Sequence, residues 1–423
     1  MSSETTQDTD LEYNQSLSSM RWTICAMLFA ATTINYMDRQ VIAILKPTIQ
    51  HSIGMSEIAY GYVVDAFQFA YAAGLLLAGR FVDKIGTRIS YMVVMAVWSL
   101  SAMGHALANT VLEFGIARFS LGLGESGNFP VAIKTVAEWF PQRERSLATG
   151  IFNSGANVGA VLAPLLVPWV AAKFGWHAGF LITGVFSALW IVWWFFKYRP
   201  TVAAATAGAA PAKPASPIRW ISLVGYRQTW AFALGKFLTD PIWWFYLFWL
   251  PSFFSTKYHL DLSHLGLPLI LVYNGSAVGS IGGGWLPVPF RKLGFSPAKA
   301  RLSAMLVCAC AVVPVFFINY THSEWVAVAL LALAAGAHQG WSANIFSTVS
   351  DMFPSRAVGS VTGIGGMAGS VGGMLIATFA GYVLQFSHNN YASLFAIAAS
   401  AYLIALAVIV TLAPGLRKVE LPA

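Results

Sequence analysis

The stretch 138-EWFPQRERSLATGIFNSGANVG-159 recurs without a gap as 351-DMFPSRAVGSVTGIGGMAGSVG-372. Phe140/Phe353, Pro141/Pro354, Thr149/Thr362, Gly150/Gly363, Ile151/Ile364, Val158/Val371 and Gly159/Gly372 are identical between the copies. Each copy passes from an aromatic–proline step through basic residues into an apolar run rich in small side chains. Between the copies lies 201-TVAAATAGAAPAKPASPIRW-220, which is rich in Ala, Pro and Gly, has basic residues and shows no apolar periodicity. That composition makes a flexible linker. A unit repeated on either side of a linker is the sequence signature of duplication.

Outward from the repeat, apolar stretches fall at 22–46, 58–79, 89–108, 111–134, 146–170, 176–196, 228–254, 264–287, 300–319, 324–347, 357–385 and 391–413. Each reaches the roughly 20 residues that a helix needs to cross a bilayer, and six lie on each side of the linker. The backbone must satisfy its own hydrogen bonds in lipid, so helices are expected, and the alternation of a membrane barrel is absent. Composition agrees: 57% of the 423 residues are hydrophobic and 10% charged, against roughly 45–50% and 25% in soluble domains. A soluble enzyme and a disordered chain are both excluded. Cys25, Cys308 and Cys310 all sit in apolar runs, so there is no disulfide framework. The expected fold is all-α: twelve transmembrane helices in two pseudo-symmetric six-helix bundles. Residues 1–20 form a loose polar tail, 21–197 the first bundle, 198–227 the linker, 228–414 the second bundle and 415–423 the last tail.

With the amino terminus inside, one side holds Arg21, Arg80, Lys84, Arg88, Arg143, Arg145, Lys197, Arg199, Lys213, Arg219, Arg227, Arg291, Lys292, Lys299, Arg301, Arg356, Arg417 and Lys418. The other side holds Lys46, Lys173 and Lys257. Eighteen against three sets both termini in the cytoplasm. The net charge of +8 is thus spread along the chain, and the compact basic face that a nucleic-acid partner requires is missing. Residues 1–20 lack the basic start and small-residue cleavage site of a signal peptide.

Ionisable residues inside the spans are the first functional candidates, because each is costly at the bilayer centre and needs a polar interior or a partner. They are Asp38, Arg39, Asp65, Arg118, Glu125, Lys134, Lys236 and Asp240. Arg118 and Glu125 are seven residues apart, close to two helical turns, so both project from one face. The alternative, a network that only holds helices together, is disfavoured because buried ion pairs stabilise poorly relative to apolar packing. Lys134 is expected to snorkel. Lys236 and Asp240 have the i, i+4 spacing of a self-neutralising pair, Pro241 predicts a bend, and the aromatic run 243-WWFYLFW-249 is suited to stacking on a sugar. The glycines from Gly363 to Gly373 allow close helix packing. No metal-ligand spacing, phosphate loop or nucleophile elbow is present, so neither an enzyme nor a resident cofactor is expected.

The loop 79-GRFVDKIGTR-88 resembles the signature of the major facilitator superfamily, which makes Gly79, Asp83, Lys84, Gly86 and Arg88 a conformational latch. Its counterpart 284-GWLPVPFRKLG-294 lacks the acid. More narrowly, 35-NYMDRQ-40, 117-ARFSLGLGESGNFP-130 and 138-EWFPQRERSLATGIFNSGANVG-159 resemble the anion:cation symporter family, and 236-KFLTDPIWWFYLFWLP-251 is similar to its hexuronate transporters. The resemblance implies a proton-coupled importer of a sugar-acid anion, glucuronate or galacturonate, in a bacterial inner membrane, with no obligate protein partner. It makes Asp38 and Glu125 the proton-coupling pair and Arg39 and Arg118 the anion-binding cations. Tyr36, Tyr71 and Asn274 join the substrate contacts, with Lys236 and Trp244. Where another subgroup carries a glutamine, the fifth span has Ala156 followed by Asn157, its polar candidate. Symport of an aldonate such as galactonate, or a dicarboxylate such as tartrate, is the alternative. A receptor would need an output domain that the short tails do not supply, and a channel fits poorly with buried ion pairs and aromatic bulk.

Overall fold

The computed structural model describes residues 2–140, 142–198 and 220–420, with side chains outside the description at 2–19, 76, 79, 80, 83, 142, 143, 145–147, 220, 221, 355, 356 and 359. Among the described residues there is no strand. The α-helices are α1 Ser2–Ile53, α2 Glu57–Ile85, α3 Thr87–Gly104, α4 Val111–Glu125, α5 Asn128–Trp139, α6 Gln142–Phe174 and α7 Trp176–Lys197. They continue as α8 Trp220–Val224, α9 Arg227–Tyr258, α10 Gly266–Trp285, α11 Pro287–Lys292, α12 Pro297–Val312, α13 Glu324–Met352, α14 Ser355–Phe386 and α15 Ala392–Leu412. Short 3₁₀ segments extend α3 and α12. Helix covers all twelve apolar stretches, and among the described residues seven helices are long and apolar enough to cross a membrane. Of the others, α1, α2 and α9 carry ionisable residues, α10 is glycine-rich and the fourth stretch is divided.

The two halves of the chain repeat one packing scheme. In the first, α1 lies on α6, α2 on α4 and α3 on α7; in the second, α9 lies on α14, α10 on α13 and α12 on α15. Of the two glycine pairs matched in the sequence repeat, Gly159/Gly372 makes the first of these contacts. A Cβ on Gly159 would stand 2.3 Å from the Thr33 carbonyl oxygen, and one on Gly372 would stand 2.5 Å from that of Phe237. Phe237 is four residues before Pro241, so its carbonyl is the one the proline leaves without a helical donor. α9 runs unbroken through Pro241, and α14 closes over that carbonyl at a residue with no side chain.

Three expectations need correction. Residues 2–20 continue α1 where composition indicates a loose tail; the segment has neither glycine nor proline to interrupt the ladder. The fourth stretch is two helices. Pro130 cannot donate to the Ser126 carbonyl, and the chain breaks at Ser126–Gly127, directly after Glu125. Lys46, which the charge count places in a loop, lies in α1 and is 1% exposed.

The halves meet through α1 with α9, α2 with α14 and α6 with α10. One end of this seam is tied by polar contacts: Lys46 Nζ donates to Glu57 (2.7 Å) and to Ser252 (3.2 Å), the Glu57 amide to Gln385 (3.1 Å) and the Tyr60 hydroxyl to the Phe248 carbonyl (3.0 Å). Tyr62 and Tyr382 join hydroxyls at 2.8 Å, and Thr378 donates to Asp65.

Candidate functional site

The centre of the first half is built by three helices that approach without side chains between them. Gly122 brings α4 against the Phe67 carbonyl of α2, where a Cβ would stand at 2.4 Å, and Gly124 brings it against the Trp98 amide of α3, at 2.7 Å. The residues between and beside these glycines are thereby carried inward. Arg118 (0% exposed) and Glu125 (1%) face α1, which supplies Asp38 and Arg39, also buried.

Arg39 Nε donates to Glu125 Oε2 at 2.5 Å. Four rings surround the same guanidinium, with Cζ 4.6 Å from the Tyr71 centroid, 5.1 Å from Tyr36, 5.4 Å from Phe67 and 5.7 Å from Trp244. Aromatic faces hold a desolvated cation by about 2 kcal/mol or more, without consuming its N–H donors. Arg118 Nη2 donates to the Arg39 carbonyl at 3.4 Å, while Nε and Nη1 have no partner. Its Cζ lies 5.1 Å from the Phe67 ring and 5.5 Å from that of Phe248 in the second half. Glu125 Oε1 and both Asp38 oxygens are also unpartnered. Thr183 of α7 faces Asp38, but its hydroxyl proton is committed to the Phe180 carbonyl at 3.1 Å. Charged groups left with spare hydrogen-bonding capacity in a buried place are expensive; the free Arg118 nitrogens can donate to an anion, and the free carboxylate oxygens can accept from hydroxyls or take up protons.

The centre of the second half is more nearly self-contained. Lys236 pairs with Asp240 at 2.8 Å, one turn along α9, and lies 4.2 Å from the Phe346 ring. His338 Nδ1 is 2.6 Å from the Tyr402 hydroxyl, and its ring stacks on Trp243 at 5.2 Å. Trp244 alone of this group reaches Arg39. Asn274 is exposed, on the stripe of α10 that also carries Leu271, Val278 and Ile281. Asn157 is half-buried on α6, between the glycines that pack on α1. The structure therefore gathers Tyr36, Asp38, Arg39, Tyr71, Arg118, Glu125 and Trp244 into one place. Lys236 sits in the neighbouring cluster, and neither asparagine hydrogen-bonds to the charged centre. Among the described residues no group of His, Cys, Asp or Glu is arranged to hold a metal ion.

Across this arrangement, from residue 28 to residue 377, the sequence matches the family model of the Major Facilitator Superfamily. The chain belongs to that superfamily. It is a multi-pass membrane transporter and not an enzyme. It is 28% identical over 379 residues to the hexuronate transporter of Escherichia coli (strain K12), covering 86% of this chain and 88% of that one. It is 29% identical over 391 residues to the D-galactonate transporter of Escherichia coli O6:H1, covering 86% and 89%. Among solved structures it is similar to a D-xylose-proton symporter, with a TM-score of 0.74 at 16% identity, over 95% of this chain and 99% of the other. That likeness is one of fold.

For a major facilitator protein the loop after α2 is the latch candidate. Gly79 and the Asp83 side chain lie outside the described residues. Gly86 takes φ +84°, where a side chain would be strained, and ends α2 while starting α3. Lys84 is exposed, and Arg88 Nη2 donates to the Phe195 carbonyl of α7 at 2.9 Å. Lys134, from α5, caps the last turn of α2 by donating to the Val82 carbonyl at 3.2 Å. Residues that sequence reasoning passed over include Phe67, which touches both arginines, and the fully buried Gln68 beside it. A glutamine inside the apolar run 64-VDAFQFAYAAG-74 was the available signal.

Proposed function

We propose that this chain imports a sugar-acid anion, a hexuronate such as glucuronate or galacturonate, together with protons across a bacterial inner membrane. Two six-helix bundles, 21–197 and 228–414, rock about the site between them, with both termini cytoplasmic. The observation that carries the reading is the Arg39–Glu125 pair, buried and ringed by Tyr36, Phe67, Tyr71 and Trp244. An arginine in that position is a carboxylate receptor whose resident occupant is an internal carboxylate.

The coupling follows from competition. A substrate carboxylate forks onto Arg39 with two parallel hydrogen bonds and releases Glu125. With its counter-charge withdrawn and little water nearby, Glu125 is neutralised by a proton, and the bundles close around a site without an unpaired charge. Arg118, with two unpartnered nitrogens, offers further donors to the substrate's oxygens, and Asp38, a counter-charge near it, provides a second proton site. The rings suit the apolar face of a sugar. The polar ties from Lys46 to Gln385 hold one end of the bundle seam shut, and the Asp83 loop biases the opposite end.

Transport of an aldonate is the second reading, favoured by nearly equal identity to the hexuronate and D-galactonate transporters. One panel tests both: proteoliposomes with an imposed inward proton gradient, offered glucuronate, galacturonate, gluconate, galactonate and tartrate. Concentrative uptake of a hexuronate that collapses with an uncoupler is expected. Accumulation of gluconate or galactonate alone would install the second reading, and no proton-driven accumulation of any acid would remove both.

A further inference from the structure

Gln68 has no role in the coupling scheme, yet no residue of α2 is more deeply placed. Its side chain is 0% exposed, and neither Nε2 nor Oε1 has a hydrogen-bond partner. A primary amide presents two donors and two acceptor lone pairs, so leaving all of them unpaired in the interior is a standing cost. Apolar residues on both sides show that α2 had a cheaper alternative at this position.

The surroundings say what the amide faces. Gln68 is three residues before Tyr71 and therefore shares its helix face, the face turned toward Arg39. From the second half, α14 brings Gly373 against this amide. A Cβ there would stand 3.0 Å from Gln68 Nε2, and 2.8 and 3.2 Å from Cδ1 and Nε1 of Trp244. The missing side chain at Gly373 therefore marks a point where the amide and the indole edge come together. The same indole ring lies 5.7 Å from the Arg39 guanidinium. A cation, an aromatic ring and an unpaired amide therefore stand side by side where α1, α2, α9 and α14 meet.

We infer that Gln68 is the residue that reads substrate hydroxyls: its amide accepts from one and donates to another of two adjacent hydroxyls on the acid whose carboxylate Arg39 holds. This rests on the sugar-acid reading above. A vicinal diol is the ligand chemistry that satisfies an amide's donor and acceptor together. A site built to hydrogen-bond a hydroxyl discriminates strongly against an analogue lacking it, because its own polar group is then left unpaired. Gln68 therefore sets selectivity among acids and leaves the proton step to Glu125.

The test uses the purified full-length protein, with thermal stabilisation as a function of acid concentration. The wild type is measured with glucuronate, galacturonate, gluconate and galactonate, then with the monodeoxy analogues of the acid that binds best. Gln68→Met and Gln68→Leu, which keep the bulk and remove the amide, are measured alongside. Without ligand both variants should melt no lower than wild type, since an unpaired amide has gone. With the preferred acid the half-saturating concentration should rise about tenfold. With the analogue that lacks the hydroxyl in question, wild type and variants should agree within about twofold. Equal weakening toward the parent acid and every analogue, or no weakening, would overturn the assignment while leaving the sugar-acid reading intact. So would two variants that fail to fold, since the amide would then be structural. A wild type that binds none of the acids would remove the sugar-acid reading and this inference with it.

Discussion

The two halves share a scaffold and differ in what they leave unfinished. Gly159 and Gly372 sit at matching places, each letting a long helix close on the backbone of its neighbour. Yet the first half gathers four charged residues from α1 and α4 and leaves oxygens of Asp38 and Glu125 and nitrogens of Arg118 without partners. In the second half, Lys236 and Asp240 neutralise each other within one helix, and His338 is engaged by Tyr402. Duplication accounts for the shared geometry; the unpartnered charged atoms among the described residues lie in the first half. On this view the first half receives the substrate's charge and the second supplies a surface to close against it, with Trp244 and Phe248 reaching the two arginines.

The most damaging way to probe that asymmetry is to remove one cation from each half. Arg39→Ala is expected to abolish sugar-acid binding, since losing one member of a buried pair costs about 3–5 kcal/mol and strands Glu125. Lysine should restore little, because an ammonium lacks the planar fork. Lys236→Met combined with Asp240→Leu removes a pair whose members satisfy each other, and affinity should fall by less than about tenfold. Calorimetric titration of the two variants decides; equal losses would end the division of labour.

A smaller but sharper effect is expected at Glu125. Glu125→Gln mimics the neutral form and should retain substrate counterflow at zero gradient while losing uptake driven by an inward proton gradient. Both are measured in the same vesicles. Retained concentrative uptake would move the coupling role to Asp38.

How far the sequence discloses this asymmetry depends on the kind of signal. The duplication and the helical spans are written in apolar runs and matched glycines, and the structure finds helix at each of them. The inward charges were legible because an ionisable residue in an apolar stretch is conspicuous; Arg118 and Glu125 share a face by helical arithmetic. Their partner Arg39 required knowing which face of α1 is turned toward α4, which no spacing within one helix reveals. The aromatic box is less legible still, since Phe67 in an apolar run looks like any core residue. Asn274 shows the reverse problem: a polar side chain in a span looks like a contact, and the fold sets it on an exposed stripe. Lys46 looked like loop because a lone lysine near a span end usually is, whereas here Glu57, Ser252 and Tyr60 enclose it.

Replacing the matched glycines tests whether the shared scaffold is as symmetric as it looks. Gly159→Val and Gly372→Val should each lower the melting temperature, by an overpacking cost of about 1–3 kcal/mol. Gly372 should be the worse, because its neighbour is the Phe237 carbonyl already deprived of a donor by Pro241, and the Pro241 ring stands 2.8 Å from the added Cβ. Thermal denaturation in one detergent, without ligand, gives the ranking; a milder loss at Gly372 would mean that α14 can shift where α6 cannot.

The smallest expected effect lies in the loops that follow the first helix of each half. After α1, Glu57 is held by buried Lys46 and by Gln50, at 2.7 and 2.9 Å. After α9, Asp261 stands in the open and accepts from the Ser263 hydroxyl at 2.7 Å, from the His264 amide at 3.0 Å and lies 2.7 Å from His264 Nδ1. The Ser263 hydroxyl first, then His264, hold the Asp261 carboxyl down at about 2, below the roughly 3.9 of a free aspartate. A carboxylate lowered on folding stabilises its loop fully above the unfolded value, and that contribution is lost as pH falls through the folded value. Exposure to solvent keeps it small. Amide exchange at His264, corrected for intrinsic rates, should therefore stay protected from pH 7 to about pH 4 and loosen only as pH approaches 2. Asp261→Asn, which keeps an acceptor without the charge, should remove that acid-induced loosening and leave uptake within about twofold of wild type. Loosening with a midpoint near 4 would show the loop's hydrogen bonds to be too weak to hold the charge. A transport defect in the asparagine variant would mean that the second half, too, carries an acid that matters, and the asymmetry would need redrawing at these loops.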